Sequence, residues 1–185
     1  MSSRKSLVAV LAALIALVAL PTIAQARQTI RGPGFKTYVP SGWPLKHSHA
    51  NGWRTTSVSS PGSNPDRPRY SAFITVSSIT VRALEKRSQK KLPSSLTELA
   101  SALISLPNGS LDSQPTGPPG YTTVAGVPGG TVRYQFSLAG IDMVQTTTAL
   151  RRHGRIYFVQ IENDTANPEL STAAATMVRS SWRWS

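Results

Sequence analysis

His47 and His49 are separated by one residue, and in an extended segment such a pair falls on one face. Two imidazoles so placed can share a cation, but a metal centre needs three or four ligands. No third ligand is evident nearby, and His153 stands far along the chain beside a glycine. The pair is therefore expected to be surface histidines, with a metal or small-ligand carrier as an alternative function. Nucleophilic catalysis finds no support. A serine hydrolase calls for a Gly-x-Ser-x-Gly elbow with a histidine and an acid, and the sequence contains no such elbow. Glu162 and Asp164 are the closest carboxylates expected on rigid structure, but acids near turns serve more often as caps than as acid–base pairs. Gly129 and Gly130 lead into a strand pattern, not a helix, so they are not a phosphate cradle. The reading is a non-enzymatic protein without a cofactor. A small extracytoplasmic hydrolase is the alternative from another class.

The residues with most to offer a partner are basic and aromatic. Arg82, Lys86, Arg87, Lys90 and Lys91 fall within ten positions, against the single acid Glu85. Such a run is ordinarily a solvated connection; its functional reading is a surface for a polyanion or an acidic protein. Trp43 and Trp53 lie among Pro, Gly and His residues, which makes them candidates for surface stacking, although packing in the core is the default for Trp.

The elements that position these residues belong to an exported chain. Ser2 to Lys5 form a short basic head, residues 7–20 are wholly apolar, and Ala24-Gln25-Ala26 places small residues two apart. That layout predicts a signal peptide over 1–26, cleaved after Ala26, and a single domain over 27–185. The apolar run has 14 residues, short of the roughly 17–25 that a spanning helix needs, so no stable membrane span is expected after cleavage. With no cysteine, the chain has neither disulfides nor thiolate metal sites. The whole chain has 20 basic and 8 acidic residues, a net charge of +12. Removal of Arg4 and Lys5 leaves 18 against 8, or +10, on 159 residues. Such a surface favours anionic envelope polymers, anionic lipid heads or an acidic protein partner. Export argues against nucleic acid.

Residues 131–161 organise the fold. Val132, Tyr134, Phe136 and Leu138 alternate with Thr131, Arg133, Gln135 and Ser137, the period of a half-buried strand. Residues 143–150, with three Thr and one Val, form a second strand. His153-Gly154 supplies a two-residue hairpin turn, and 156–161, apolar on both faces, forms a central third strand. Further strands are predicted at 35–39, 53–58 and 72–81, with an edge strand at 121–124. Residues 126–130 read as a turn, 61–69 as a loop, and Pro107-Asn108-Gly109 as a helix stop. Ser95 and Glu98 fit a capping box ahead of an apolar face of Leu96, Leu99, Ala100, Leu103 and Ile104. Asn167-Pro168-Glu169 starts a C-terminal helix whose packing face is Leu170, Ala173, Ala174, Met177, Val178 and Ser181, closed by Trp182 and Trp184.

Taken in order, these features are familiar. They run from Phe35-x-x-x-Val39-Pro40-x-Gly42-Trp43 through the capped helix near Ser95 to Gly126-x-Pro128-Gly129-Gly130 before Tyr134. Gly154-Arg155-Ile156-Tyr157 and Ser180-Ser181-Trp182 complete the series. The sequence resembles the PsbP/Mog1-like superfamily, including bacterial exported PsbP-like proteins, over nearly all of residues 27–185. The resemblance implies an α+β fold, an antiparallel sheet between helices in an αβα sandwich. It also implies a role in binding or assembly. Members bind partners as different as a small GTPase and a photosynthetic oxygen-evolving complex, so the fold carries over and the partner does not.

Overall fold

A computed structural model describes residues 27–61, 72–104, 113–138, 140–165 and 168–185. The predicted signal segment, the loop predicted at 61–69 beyond Pro61, and the expected helix stop at 107–109 lie outside these residues.

Strands β8 (Val127–Leu138), β9 (Ile141–Arg152) and β10 (Arg155–Asp164) form the expected meander. The β9–β10 turn is His153-Gly154, both at positive φ (46° and 69°), the geometry that lets a two-residue connection match strand twist. β10 is central. It pairs antiparallel with β9 on one side and with β5 (Ala72–Thr80) on the other. Beyond β5 come β4 (Trp53–Ser59) and then β3 (Leu45–Ala50) at the edge. At the other end, β6 (Gln114–Pro115) and β7 (Gly120–Val124) both pair with β8, completing an eight-stranded antiparallel sheet.

Both faces of β10 are used. Tyr157, Val159 and Ile161 cluster with Ala174 and Val178 of the helix Pro168–Ser181. Ile156 and Phe158 cluster with Leu99 and Ala100 of the helix Leu96–Ile104 and with Leu84 of the helix Val81–Ser88. In chain order these helices are α1 (Val81–Ser88), α2 (Leu96–Ile104) and α3 (Pro168–Ser181). The described residues thus form mostly antiparallel sheet with three helices. The Ser95 hydroxyl accepts from the Glu98 amide at 3.4 Å, the first half of the capping box.

Several expectations are corrected. The strand predicted at 35–39 is β2 (Phe35–Pro40), but it belongs to a second, three-stranded sheet. There it lies between β1 (Arg27–Gly32) and the terminal β11 (Arg183–Trp184). That sheet shares the α3 side of the core through Ile30, Phe35, Val39 and Trp182. It is stitched to the end of α3 because Thr37 donates to the Val178 carbonyl at 2.8 Å, while the Tyr38 amide donates to the Ser181 hydroxyl at 2.9 Å. Trp43 takes the default for Trp and is core, only 8% exposed, so only the surface-stacking alternative is overturned there. Ala173, predicted on the α3 packing face, is exposed. Residues 82–88 are helix, not a connection. The Thr80 hydroxyl caps α1 by accepting from the Ala83 amide at 3.2 Å, and Gln89 ends it in a left-handed conformation.

The glycines before Tyr134 also have a different use. The turn is Ala125-Gly126, and β8 is already strand at Val127. A Cβ on Gly130 would meet the backbone of Leu96 and Thr97, and one on Gly129 would lie 2.6 Å from Leu150 Cδ2. Gly130 therefore lets the start of α2 sit directly on the sheet, and Gly129 makes room on the opposite face.

Candidate binding surfaces

α1 leaves the end of β5 and is anchored by Leu84, its buried residue. Arg82, Lys86 and Arg87 on the helix, with Lys90 and Lys91 just beyond it, are all exposed. Glu85, the acid among them, accepts from the Leu92 amide at 3.3 Å and so folds back to shape the turn. Ser88 reinforces that turn by donating to the Lys90 carbonyl at 3.1 Å. Lys86 and Arg87 in the last turn also suit the negative end of the helix dipole.

Arg87 and Trp53 meet in one cavity of about 440 Å³, with Leu84, Thr55, Ser77 and Gln160 in its walls. Trp53 is half-buried and lies tilted against Phe158, ring centroids 5.8 Å apart. Two candidate residues 34 positions apart thus share a wall because β4 pairs with β5 and α1 folds back over that pair. Ser77 and Thr55 are linked through their hydroxyls at 3.1 Å.

His47 and His49 are exposed on the same face of edge strand β3, as their spacing predicted. In the strand register His49 lies opposite Arg54 and His47 opposite Thr56. His47 Nδ1 is 2.9 Å from the Thr56 hydroxyl, which fixes the ring. The histidines line an open groove of about 620 Å³ together with Arg31, Pro33, Phe35 and Arg54. Among the described residues no group of three or more His, Cys, Asp or Glu side chains could hold a metal. Two guanidinium groups stand where a carrier would need further ligands.

Burial raises the Glu162 carboxyl above the ordinary carboxylate range. Glu162 is half-buried on β10, opposite Phe73 on one neighbouring strand and Gln145 on the other. Tyr38 has its phenol lowered by a hydrogen bond from Lys36 and by that residue's charge, with smaller effects from Arg31 and Arg27. Among the described residues, the aromatic side chain most open to solvent is Tyr121, 79% exposed on edge strand β7. Its place in an edge strand was legible in sequence, but its exposure was not.

This architecture is the PsbP/Mog1-like fold. No protein-family model matches the sequence, and no curated protein matches it. The likeness appears in three dimensions. The cyanobacterial PsbP protein CyanoP of Synechocystis sp. PCC 6803 superposes with a TM-score of 0.55 at 11% identity, over 89% of this chain and 96% of CyanoP. LpqN of Mycobacterium tuberculosis, a protein involved in cell envelope biogenesis, superposes with a TM-score of 0.51 at 15% identity. That match covers 86% of this chain and 91% of LpqN. Among the described residues, no helix is long and apolar enough to cross a membrane.

Proposed function

We propose that this protein is an exported, non-enzymatic binding or assembly module of the cell envelope, an αβα sandwich that engages an acidic partner or anionic polymer through α1. The observation that carries the reading is the display of Arg82, Lys86, Arg87, Lys90 and Lys91, all exposed on one short helix and its exit turn. Glu85, the acid within that run, is drawn away to the Leu92 amide. The involvement of the fold relative LpqN in envelope biogenesis accords with this setting. Trp53 and the cavity beside Arg87 add an aromatic wall to the charged rim.

The test is binding of the full chain to an anionic polymer, polyglutamate, across a salt series. Exposed charges are screened over about 10 Å at 0.1 M salt, so affinity should fall steeply as salt rises. The variant Arg82→Gln/Lys86→Gln/Arg87→Gln should bind at least tenfold more weakly at low salt, while its melting temperature stays unchanged. Salt-independent binding, or a triple variant that binds as well as the parent, defeats the reading.

A further inference from the structure

The groove on the other side of the β3–β4 hairpin has a different character, and we infer that it is a site for a small organic phosphate. Residues from two sheets build it. Arg31 comes from β1 of the small sheet, His47 and His49 from β3, and Arg54 from β4. Register places His49 directly opposite Arg54, and His47 is steadied by the Thr56 hydroxyl on its Nδ1, leaving Nε2 for a ligand. Among the described residues lining the groove there is no acid. A metal cation entering it would face two permanently charged guanidinium groups, whereas an oxyanion meets four donor-bearing side chains.

Phosphate fits this donor set better than a lone carboxylate. One guanidinium fork satisfies a carboxylate's two oxygens. Two forks and two imidazoles exceed that, and they suit a group with three terminal oxygens and up to two negative charges. The space of about 620 Å³ is far larger than one phosphate group and falls within the range of small-molecule sites. Pro33 and Phe35 provide apolar surface for the organic part of the ligand. The site is separate from α1. By strand alternation Arg54 and Thr56 point to the face that carries Val58, whereas Trp53 and Thr55 point to the face that carries α1.

The probe is sodium pyrophosphate, titrated calorimetrically into the full chain at 0.15 M NaCl, with citrate as a carboxylate of comparable charge. Saturable one-to-one binding is expected for pyrophosphate, at least tenfold tighter than for citrate. Arg31→Gln/Arg54→Gln should weaken it at least tenfold. The α1 variant Arg82→Gln/Lys86→Gln/Arg87→Gln should leave it within twofold, so this site and the α1 reading fail separately. His47→Gln, at an exposed position, provides a second variant that keeps the fold and should weaken binding severalfold. Absence of saturable binding, citrate binding as tightly, or loss in the α1 variant alone each overturns the proposal. So does zinc binding that His47→Gln abolishes while pyrophosphate fails to bind.

Discussion

Adding one methyl group at Gly130 should unseat a helix. A Cβ there would lie 2.5 Å from the Leu96 carbonyl oxygen and closer still to the Leu96 carbon and the Thr97 nitrogen. Comfortable carbon contacts begin near 3.5 Å, so the start of α2 must retreat by about 1 Å. The obstacle is helix backbone, which cannot rotate aside as a side chain can. An extra methylene in a packed core typically costs about 1–3 kcal/mol, and this case belongs at the upper end, about 3 kcal/mol. Retreat also loosens Leu99 and Ala100 from Val132, Ala149 and Phe158. For a domain of this size each kcal/mol shifts the melting temperature by about 2–4 °C, so Gly130→Ala should melt about 6–12 °C lower. Urea unfolding measures the loss directly. Two controls isolate the cause. Gly120→Ala adds a methyl to a strand with nothing within 4 Å and should be nearly neutral. Gly126→Ala, at φ +80° with nothing within 4 Å, carries backbone strain alone, about 1–2 kcal/mol. If Gly130→Ala loses no more than Gly126→Ala, the close approach of α2 to β8 is wrong.

Trp182 is fully buried and stacks on Phe35 with ring centroids 4.4 Å apart, so Trp182→Ala should cost about 3–5 kcal/mol in urea unfolding. Its indole nitrogen is buried without a partner, so Trp182→Phe, which forfeits no hydrogen bond, should cost less than half as much; equal costs would contradict this. For Glu162, burial disfavours the ionised form in the folded state and raises its pKa. Below the unfolded value of about 4.3 the carboxyl is neutral in both states and carries no penalty. As pH rises from there through the raised folded value, stability is lost. Glu162→Gln should therefore melt higher than the parent at pH 7 and at the same temperature near pH 3. A variant that melts lower at pH 7 would reveal a stabilising partner for the carboxylate.

The parts legible in sequence are those where one element buries a full periodic face. β8 alternates because one of its faces packs under a helix, β10 reads as a continuous apolar run because both of its faces are covered, and the His153-Gly154 turn shows because left-handed backbone restricts residue choice. β3 had no such signature. From Lys46 to Ala50 every residue is exposed, so hydropathy carries no period, and the Asn51-Gly52 turn, both residues at positive φ, went unread. α1 was hidden for the opposite reason. It buries only Leu84 over eight residues, and its basic side chains resemble a solvated linker. β1, with Ile30 as its buried residue, was equally silent. Core packing was the default for Trp43 and it holds, but the second sheet that packs beside it was not foreseen. Gly129 and Gly130 carried a real signal that was assigned to the wrong cause, because turn geometry and close packing both demand the absence of a Cβ.

The candidate sites divide along the same line. His47, His49 and the α1 cations were visible as spacing, whereas Arg31 and Arg54 acquire meaning only when β1 and β4 converge. That convergence bears on how the excess charge is spent. With 20 basic residues against 8 acidic ones, a uniform cationic coat would bind any anion weakly and everywhere. The β3–β4 hairpin prevents such uniformity by dividing two concentrations of charge. Ser48 and Thr55 border both cavities, yet Arg87 with Trp53 lies on one side and Arg31 with Arg54 on the other. An extended anionic surface lying along α1 therefore faces away from the groove, and that groove stays open to a separate, small ligand. On the two proposals, charge of one sign on two faces of a thin hairpin would support two recognitions of different scale, one by screened attraction and one by directed hydrogen bonds.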